Sequence, residues 1–144
     1  MTIRPMRPLD AAAVAELTTQ LGYPVDEAAQ RRRIEDVLES PTHHALFVAV
    51  DEADRAIGWV HVERIRYLEG DDTAEIMGLV VGDGHRSGGI GAELLVAAEA
   101  WAAKRDCRRV VVRSRVSRER AHRFYERQGY AVWKTSQVFA KELG

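Results

Sequence analysis

The sequence predicts a mixed α/β fold: a largely antiparallel central sheet covered by four helices, in the order β-α-α-β-β-β-α-β-α-β-β. Three observations carry this. Short β-rich runs over residues 46–50, 57–66 and 73–81 follow one another across turns, as hairpin-connected antiparallel strands do. Two stretches before them and one after place apolar residues three and four apart, the helical period. A valine-rich run and a further helical stretch then continue the alternation of helix and strand, so helices cover the sheet.

In chain order, residues 2–6 read as a short strand. Asp10 is a candidate N-cap for a helix striped by Val14, Leu17 and Leu21, stopped at Gly22-Tyr23-Pro24. Asp26 starts a second helix with Ile34, Val37 and Leu38 on one face, ended by Ser40-Pro41. Residues 46–50 are a continuous apolar run, a buried strand, and pair with 57–66 across the turn at 51–55. Glu69-Gly70-Asp71-Asp72 reads as the next turn and 73–81 as the next strand. Ile90, Leu94, Ala98 and Trp101 stripe a third helix. Residues 109–113 are a buried strand. Ser117 is the candidate cap of a fourth helix, which turns Ala121, Phe124 and Tyr125 inward and ends at Gly129. Residues 130–133 and 138–143 read as closing strands.

The length of 144 residues predicts one domain, 1–144, large enough for its own core. The single cysteine, Cys107, permits no internal disulfide. No apolar run is long enough to span a membrane, and residues 1–10 lack the apolar core of a signal peptide, so a cytoplasmic protein is expected. The net charge of −1 hides a division. Ten basic residues and three acids between Lys104 and Arg127 give that stretch +7 and leave −8 elsewhere, and eight acids face three arginines between Asp51 and Glu75. Such asymmetry fits an anionic ligand on one side and a cationic one on the other, or merely solvated surfaces.

Residues 82–91, Gly-Asp-Gly-His-Arg-Ser-Gly-Gly-Ile-Gly, join a strand to a helix. Glycines admit close backbone approach, and amide N–H groups converging at a helix N-terminus, with its dipole, make a phosphate or pyrophosphate cradle. The spacing is not that of a P-loop, because Ile90 stands where lysine is needed. Nor is it a dinucleotide fingerprint, because Ser87 stands at the third glycine position. It is R-x-x-G-x-G: Arg86, Gly89 and Gly91. The alternative is a tight turn whose glycines serve packing.

With Leu79-Val80-Val81 leading into Arg86-x-x-Gly89-x-Gly91, and Ala121-His122-Arg123-Phe124-Tyr125-Glu126-Arg127-Gln128-Gly129-Tyr130 about 35 residues on, the chain resembles the GNAT superfamily of N-acetyltransferases over essentially its whole length. The resemblance implies acetyl-CoA as acetyl donor. It implies that Arg86, Ser87, Gly88, Gly89, Ile90 and Gly91 offer backbone amides to the pyrophosphate, and that Leu79, Val80 and Val81 pair with the pantetheine arm like an added strand. Tyr125 would protonate the departing thiolate, reasonable for a phenol of pKa about 10 and a thiol of about 8.5. Two departures stand out. Arg118 occupies the usual asparagine position, where it could meet a coenzyme A phosphate together with Arg123, and Asp83 stands where many relatives have proline.

Transfer to an amine also needs a proton acceptor and a hold on the oxyanion, here the Val81 amide. Glu75 is the candidate base. On a regular strand it shares a face with Met77, Leu79 and Val81, unless a bulge breaks the parity. His61 is its rival, and His122 is expected to point elsewhere. Tyr23, Tyr67, Glu69 and Asp72 are the candidate acceptor-binding residues, suited to a cationic small-molecule amine. No metal site is evident, since His43 and His44 are adjacent and no Cys/His cluster exists. The alternatives are a non-catalytic acyl-CoA-binding module, acetylation of protein amines, and, less compatible with the near-neutral charge, nucleic-acid binding. A homodimer through Trp133 or the closing strands is possible on this reading; membrane association is not expected.

Overall fold

The computed structural model describes residues 1–144 and divides them into two compact units, Met1–Arg113 and Ser114–Gly144. The first unit holds a five-stranded sheet in the order β1-β2-β3-β4-β5, with β1 Thr2–Pro5, β2 His44–Val50, β3 Ala56–Tyr67, β4 Gly70–Val81 and β5 Val110–Val112. The first four strands pair antiparallel, and β5 joins β4 in parallel. The helices of this unit are α1 Ala11–Leu21, α2 Glu27–Leu38 and α3 Ile90–Lys104. This is the expected mixed class with a mostly antiparallel sheet.

The two faces of the sheet are told apart by what meets them. A Cβ built on Gly58 would lie 3.2 Å from Leu94 and 3.3 Å from Ile90, so that face receives α3. The opposite face, with Leu46, Val48 and Val80, packs with Val14 and Leu17 of α1 and Ile34 of α2, and Trp59 lies against the same cluster. The predicted stripe of α3 is buried at Ile90, Leu94, Ala98 and Trp101. Burying a side chain such as Ile90 or Leu94 is worth about 1.5–3 kcal/mol, which is why the apolar spacing located this helix.

Caps fall unevenly. Asp26 accepts the Ala29 N–H at 2.8 Å and starts α2 as expected. Asp10 makes no cap bond. It closes a 3-10 turn, Pro8–Asp10, where its carboxylate takes the Arg7 N–H at 2.7 Å and both terminal nitrogens of Arg4 at 2.7 and 2.9 Å. Burial pushes this carboxyl upward, but Arg4 and the Arg7 amide outweigh it and hold it below its ordinary value. The turn between β3 and β4 is shorter than expected. Only Leu68 and Glu69 lie outside the strands, so Asp71 and Asp72 belong to β4.

The second unit carries α4, Glu119–Arg127, which ends before Gly129 at φ 92°. Its N-cap is Arg118, not Ser117, and Ala121, Phe124 and Tyr125 are half-buried. The two expected closing strands are not formed: no residue after Gly129 is in a strand. Val132, Trp133, Val138, Phe139 and Leu143 are exposed there. Alternating apolar residues make a segment strand-prone, but a strand exists only once a partner takes its backbone groups.

Candidate functional site

The carboxyl end of β4 and the loop to α3 form one continuous feature. The Gly82 N–H extends the ladder to the Ile57 carbonyl at 2.8 Å, and a Cβ there would come within 3.0 Å of Leu17. Beyond it the Asp83 N–H donates to the Gln20 side-chain oxygen at 2.9 Å, and the His85 N–H returns to the Gly82 carbonyl at 3.0 Å. The backbone then turns through Ser87 at φ 71° and Gly89 at φ 80°, and Gly89 starts α3 with no side chain capping it. The first-turn amides of a fifteen-residue helix are therefore left to a ligand or solvent, at the positive end of its dipole. Residues 83–89 are all exposed. The Arg86 guanidinium lies across this turn, 3.1 Å from Asp83 and 3.3 Å from the Val81 carbonyl. Leu79, Val80, Val81, Arg86, Ser87, Gly88, Gly89, Ile90 and Gly91 are thus consecutive parts of one strand–loop–helix junction. The loop's shape and amide donors fit a pyrophosphate.

The middle of β4 departs from the regular strand. His61 pairs with Gly78 and Val62 with Ile76, so Met77 has no opposite residue and bulges. Directly opposed residues share a face. Glu75, opposite Glu63, therefore lies on the α1/α2 face with His61, Gly78 and Val80, while Leu79 and Val81, opposite Val60 and Gly58, turn to the α3 face. The expectation that Glu75 shares a face with Met77, Leu79 and Val81 is corrected: one extra residue inverts the alternation.

Around Glu75 the polar groups are mutually engaged. Its side chain is 12% exposed and receives the Arg113 Nε–H at 3.0 Å. Glu63 faces it across the strand pair, and His44 faces Glu63 from β2. His44 Nδ1 and His61 Nε2 are 3.0 Å apart, so one ring donates and the other accepts. Burial, then the charge of His44, lowers the His61 pKa to about 4, which leaves it neutral at pH 7. Gly78 is required here: a Cβ would stand 2.7 Å from the Trp59 ring, which lies over it. Such a face can hold a carboxylate in one orientation and supply the neutral His61 imidazole beside it.

The other candidates are dispersed. Tyr23 follows α1 and is exposed, and Tyr67 and Glu69 sit at the tip of the β3–β4 hairpin. Asp72 is already held by Arg64 at 2.7 Å and by Arg66 at 3.4 Å, so its charge is spent inside the protein. In the second unit, Tyr125 packs edge-on against Phe124 and Tyr130. Burial pushes its phenol pKa up, with Arg118 opposing. The His122 ring is 2.8 Å from the Arg115 carbonyl. Burial raises the Cys107 thiol, against a reactive thiolate there. No group of three or more His, Cys, Asp or Glu is placed to hold a metal. His44, Arg113, Trp59 and Gln20 were missed as site neighbours. The alternation Trp59, His61, Glu63 on one strand was the available signal for that face, and nothing in the sequence marked Gln20.

Residues 11–130 match the acetyltransferase (GNAT) family profile. The chain is 29% identical over 135 residues to aminoglycoside N(6')-acetyltransferase type 1 of Stenotrophomonas maltophilia, covering 90% of this chain and 85% of that one. Its fold is similar to an aminoglycoside antibiotic 6'-N-acetyltransferase from Acinetobacter haemolyticus (TM-score 0.84, 19% identity, all of both chains). It is equally similar to glucosamine-6-phosphate N-acetyltransferase from Arabidopsis thaliana (TM-score 0.85, 18% identity, 98% of each). GNAT acetyltransferases use acetyl-CoA. No helix is long and apolar enough to cross a membrane. With the family profile matching most of its length, the chain belongs to the GNAT family of acetyltransferases and is an N-acetyltransferase.

Proposed function

We propose that the chain transfers the acetyl group of acetyl-CoA to a primary amine of a small cationic acceptor, an aminoglycoside-like amine being the first to try. The observation that carries this is the exposed glycine-rich junction from β4 to the uncapped N-terminus of α3, a cradle for a pyrophosphate. The aminoglycoside relatives support the acceptor class. The family match runs across both compact units, which supports reading 1–144 as one acetyltransferase domain.

In this reading the residues from Arg86 to Gly91 hold the pyrophosphate and Leu79, Val80 and Val81 the pantetheine arm. Arg118 and Arg123 pair with coenzyme A phosphates. The neutral amine attacks the thioester carbonyl in a ternary complex. Glu75 takes the proton lost by the amine, directly or through water. The C–S bond breaks, and the thiolate takes the Tyr125 hydroxyl proton, leaving an N-acetyl amide and free coenzyme A. A phenol raised by burial stays protonated until a thiolate forms beside it. Tyr23, Tyr67 and Glu69 line the acceptor side, where the aromatic faces and the carboxylate attract ammonium groups. Asp72, paired with Arg64 and Arg66, stands with them in this reading. A cytoplasmic homodimer acting on neither nucleic acid nor membrane completes the reading. The exposed Val132, Trp133 and Phe139 are its candidate contact surface, to be checked by light scattering.

The deciding experiment is an amine panel with acetyl-CoA, followed by thiol release. Turnover on aminoglycosides, lost in Tyr125→Phe, is the expected result. Acetyl-CoA binding with no turnover on any amine would make the chain a non-catalytic binder, and turnover confined to peptides would make it a protein acetyltransferase. Arg118→Ala and Arg123→Ala should each raise the acetyl-CoA KM; unchanged values in both would remove them from the site.

A further inference from the structure

We infer that Gln20 is a positioning residue for the glycine-rich loop: its side-chain oxygen holds the backbone N–H of Asp83 and fixes the path by which β4 enters the turn. The inference rests on the acetyl-CoA reading of that loop.

Gln20 and Leu17 lie three residues apart on α1, hence on one face of it. Leu17 packs against Gly82, and Gln20 accepts from the next residue along, Asp83, at 2.9 Å. A single helix face therefore grips two successive residues where the sheet ends and the exposed segment begins. The ion pair within the loop, Arg86 to Asp83, has both side chains more than half exposed, and such pairs contribute little. Gln20 thus ties the exposed backbone to the folded body. Ordering a residue costs conformational entropy, and a brace that has already met part of that cost raises affinity for whatever the loop binds. It acts on binding and not on the chemical step. The side chain also suits an anion site. A neutral amide accepts the bond without adding negative charge, whereas a carboxylate would accept it and repel a pyrophosphate.

The test uses the full chain in three forms: wild type, Gln20→Met and Gln20→Glu. Gln20 is exposed, so both variants keep the core. Amide exchange at Asp83 in the free protein reads the brace directly. It should be slowed in the wild type, fast in Gln20→Met and slowed again in Gln20→Glu. Calorimetry should show acetyl-CoA Kd raised roughly three- to tenfold in Gln20→Met. KM should follow Kd, with kcat within about twofold, as expected when only uniform binding is lost. In Gln20→Glu the Kd should be raised at low salt and approach the wild-type value at high salt, where repulsion is screened. Unchanged exchange and Kd in Gln20→Met would overturn the inference, as would a fall in kcat with Kd unchanged. A wild type that binds no acetyl-CoA while its Asp83 amide is protected would overturn the cofactor reading and leave the brace standing as structure only.

Discussion

At its carboxyl end β4 meets solvent through backbone groups; in its middle it presents side chains to a half-buried face. The loop end has exposed residues 83–89, a glycine starting α3 and amides without side-chain caps. The middle has Glu75, Glu63, His61 and His44 set across three strands, with Arg113 against Glu75. The difference teaches which changes each region tolerates. Where exposed backbone groups are the proposed binding groups, conformation matters most and side-chain identity little. Where side chains crowd a low-dielectric face, one atom's change is felt through its partners.

The largest expected break in this comparison is Glu75→Gln. If Glu75 takes the amine proton, kcat should fall by about 100-fold while acetyl-CoA Kd stays unchanged. Steady-state kinetics beside calorimetry separate the two. A comparable rise in Kd would mean that the two regions are not independent.

The histidine pair gives the next effect, read in stability. His61 titrates near 4 in the fold against an ordinary value near 6.5. Between those values the unfolded chain binds a proton that the folded chain does not, so stability is fully present above pH 6.5 and is lost as pH falls toward 4. The loss should reach about 2–3 kcal/mol, and His61→Asn should flatten that part of the curve. Urea melts across pH 4–7 would show it. A slope unchanged by the substitution would assign the titration elsewhere.

At the loop end, Gly89→Val forces a branched side chain to φ 80°, which costs about 1–2 kcal/mol, so acetyl-CoA Kd should rise roughly tenfold while the melting midpoint falls only slightly. The smallest effect belongs to Arg86→Ala. If the loop binds through amides, removing a guanidinium that is 54% exposed should change Kd by only about two- to fivefold, chiefly at low salt. A hundredfold loss would turn this end into a side-chain site like the other and erase the contrast.

These two regions were unequally legible. The loop was readable because glycine spacing and a following apolar stripe are local properties: Gly89 and Ile90 fall where the backbone turns and α3 begins. The Glu75 face was not, because the bulge at Met77 depends on how β3 and β4 register, and no local property of 73–81 announces it. The pairing of Asp72 was hidden for a similar reason. Its partners, Arg64 and Arg66, lie on the neighbouring strand. The segments at 130–133 and 138–143 had strand composition, but composition supplies no partner for a backbone N–H, and none is taken up in a ladder.

The sequence alone determined the mixed α/β class, the order of helices and strands through β5 and α4, and the family, because periodicity, turn chemistry and motif spacing are written along the chain. Tertiary structure decided which residues share a face, which charges are already paired and which histidine stays neutral. Those depend on register and burial, and both come from residues distant in sequence: Glu75 is defined by Glu63 and Arg113, His61 by His44, and the loop's first amide by Gln20.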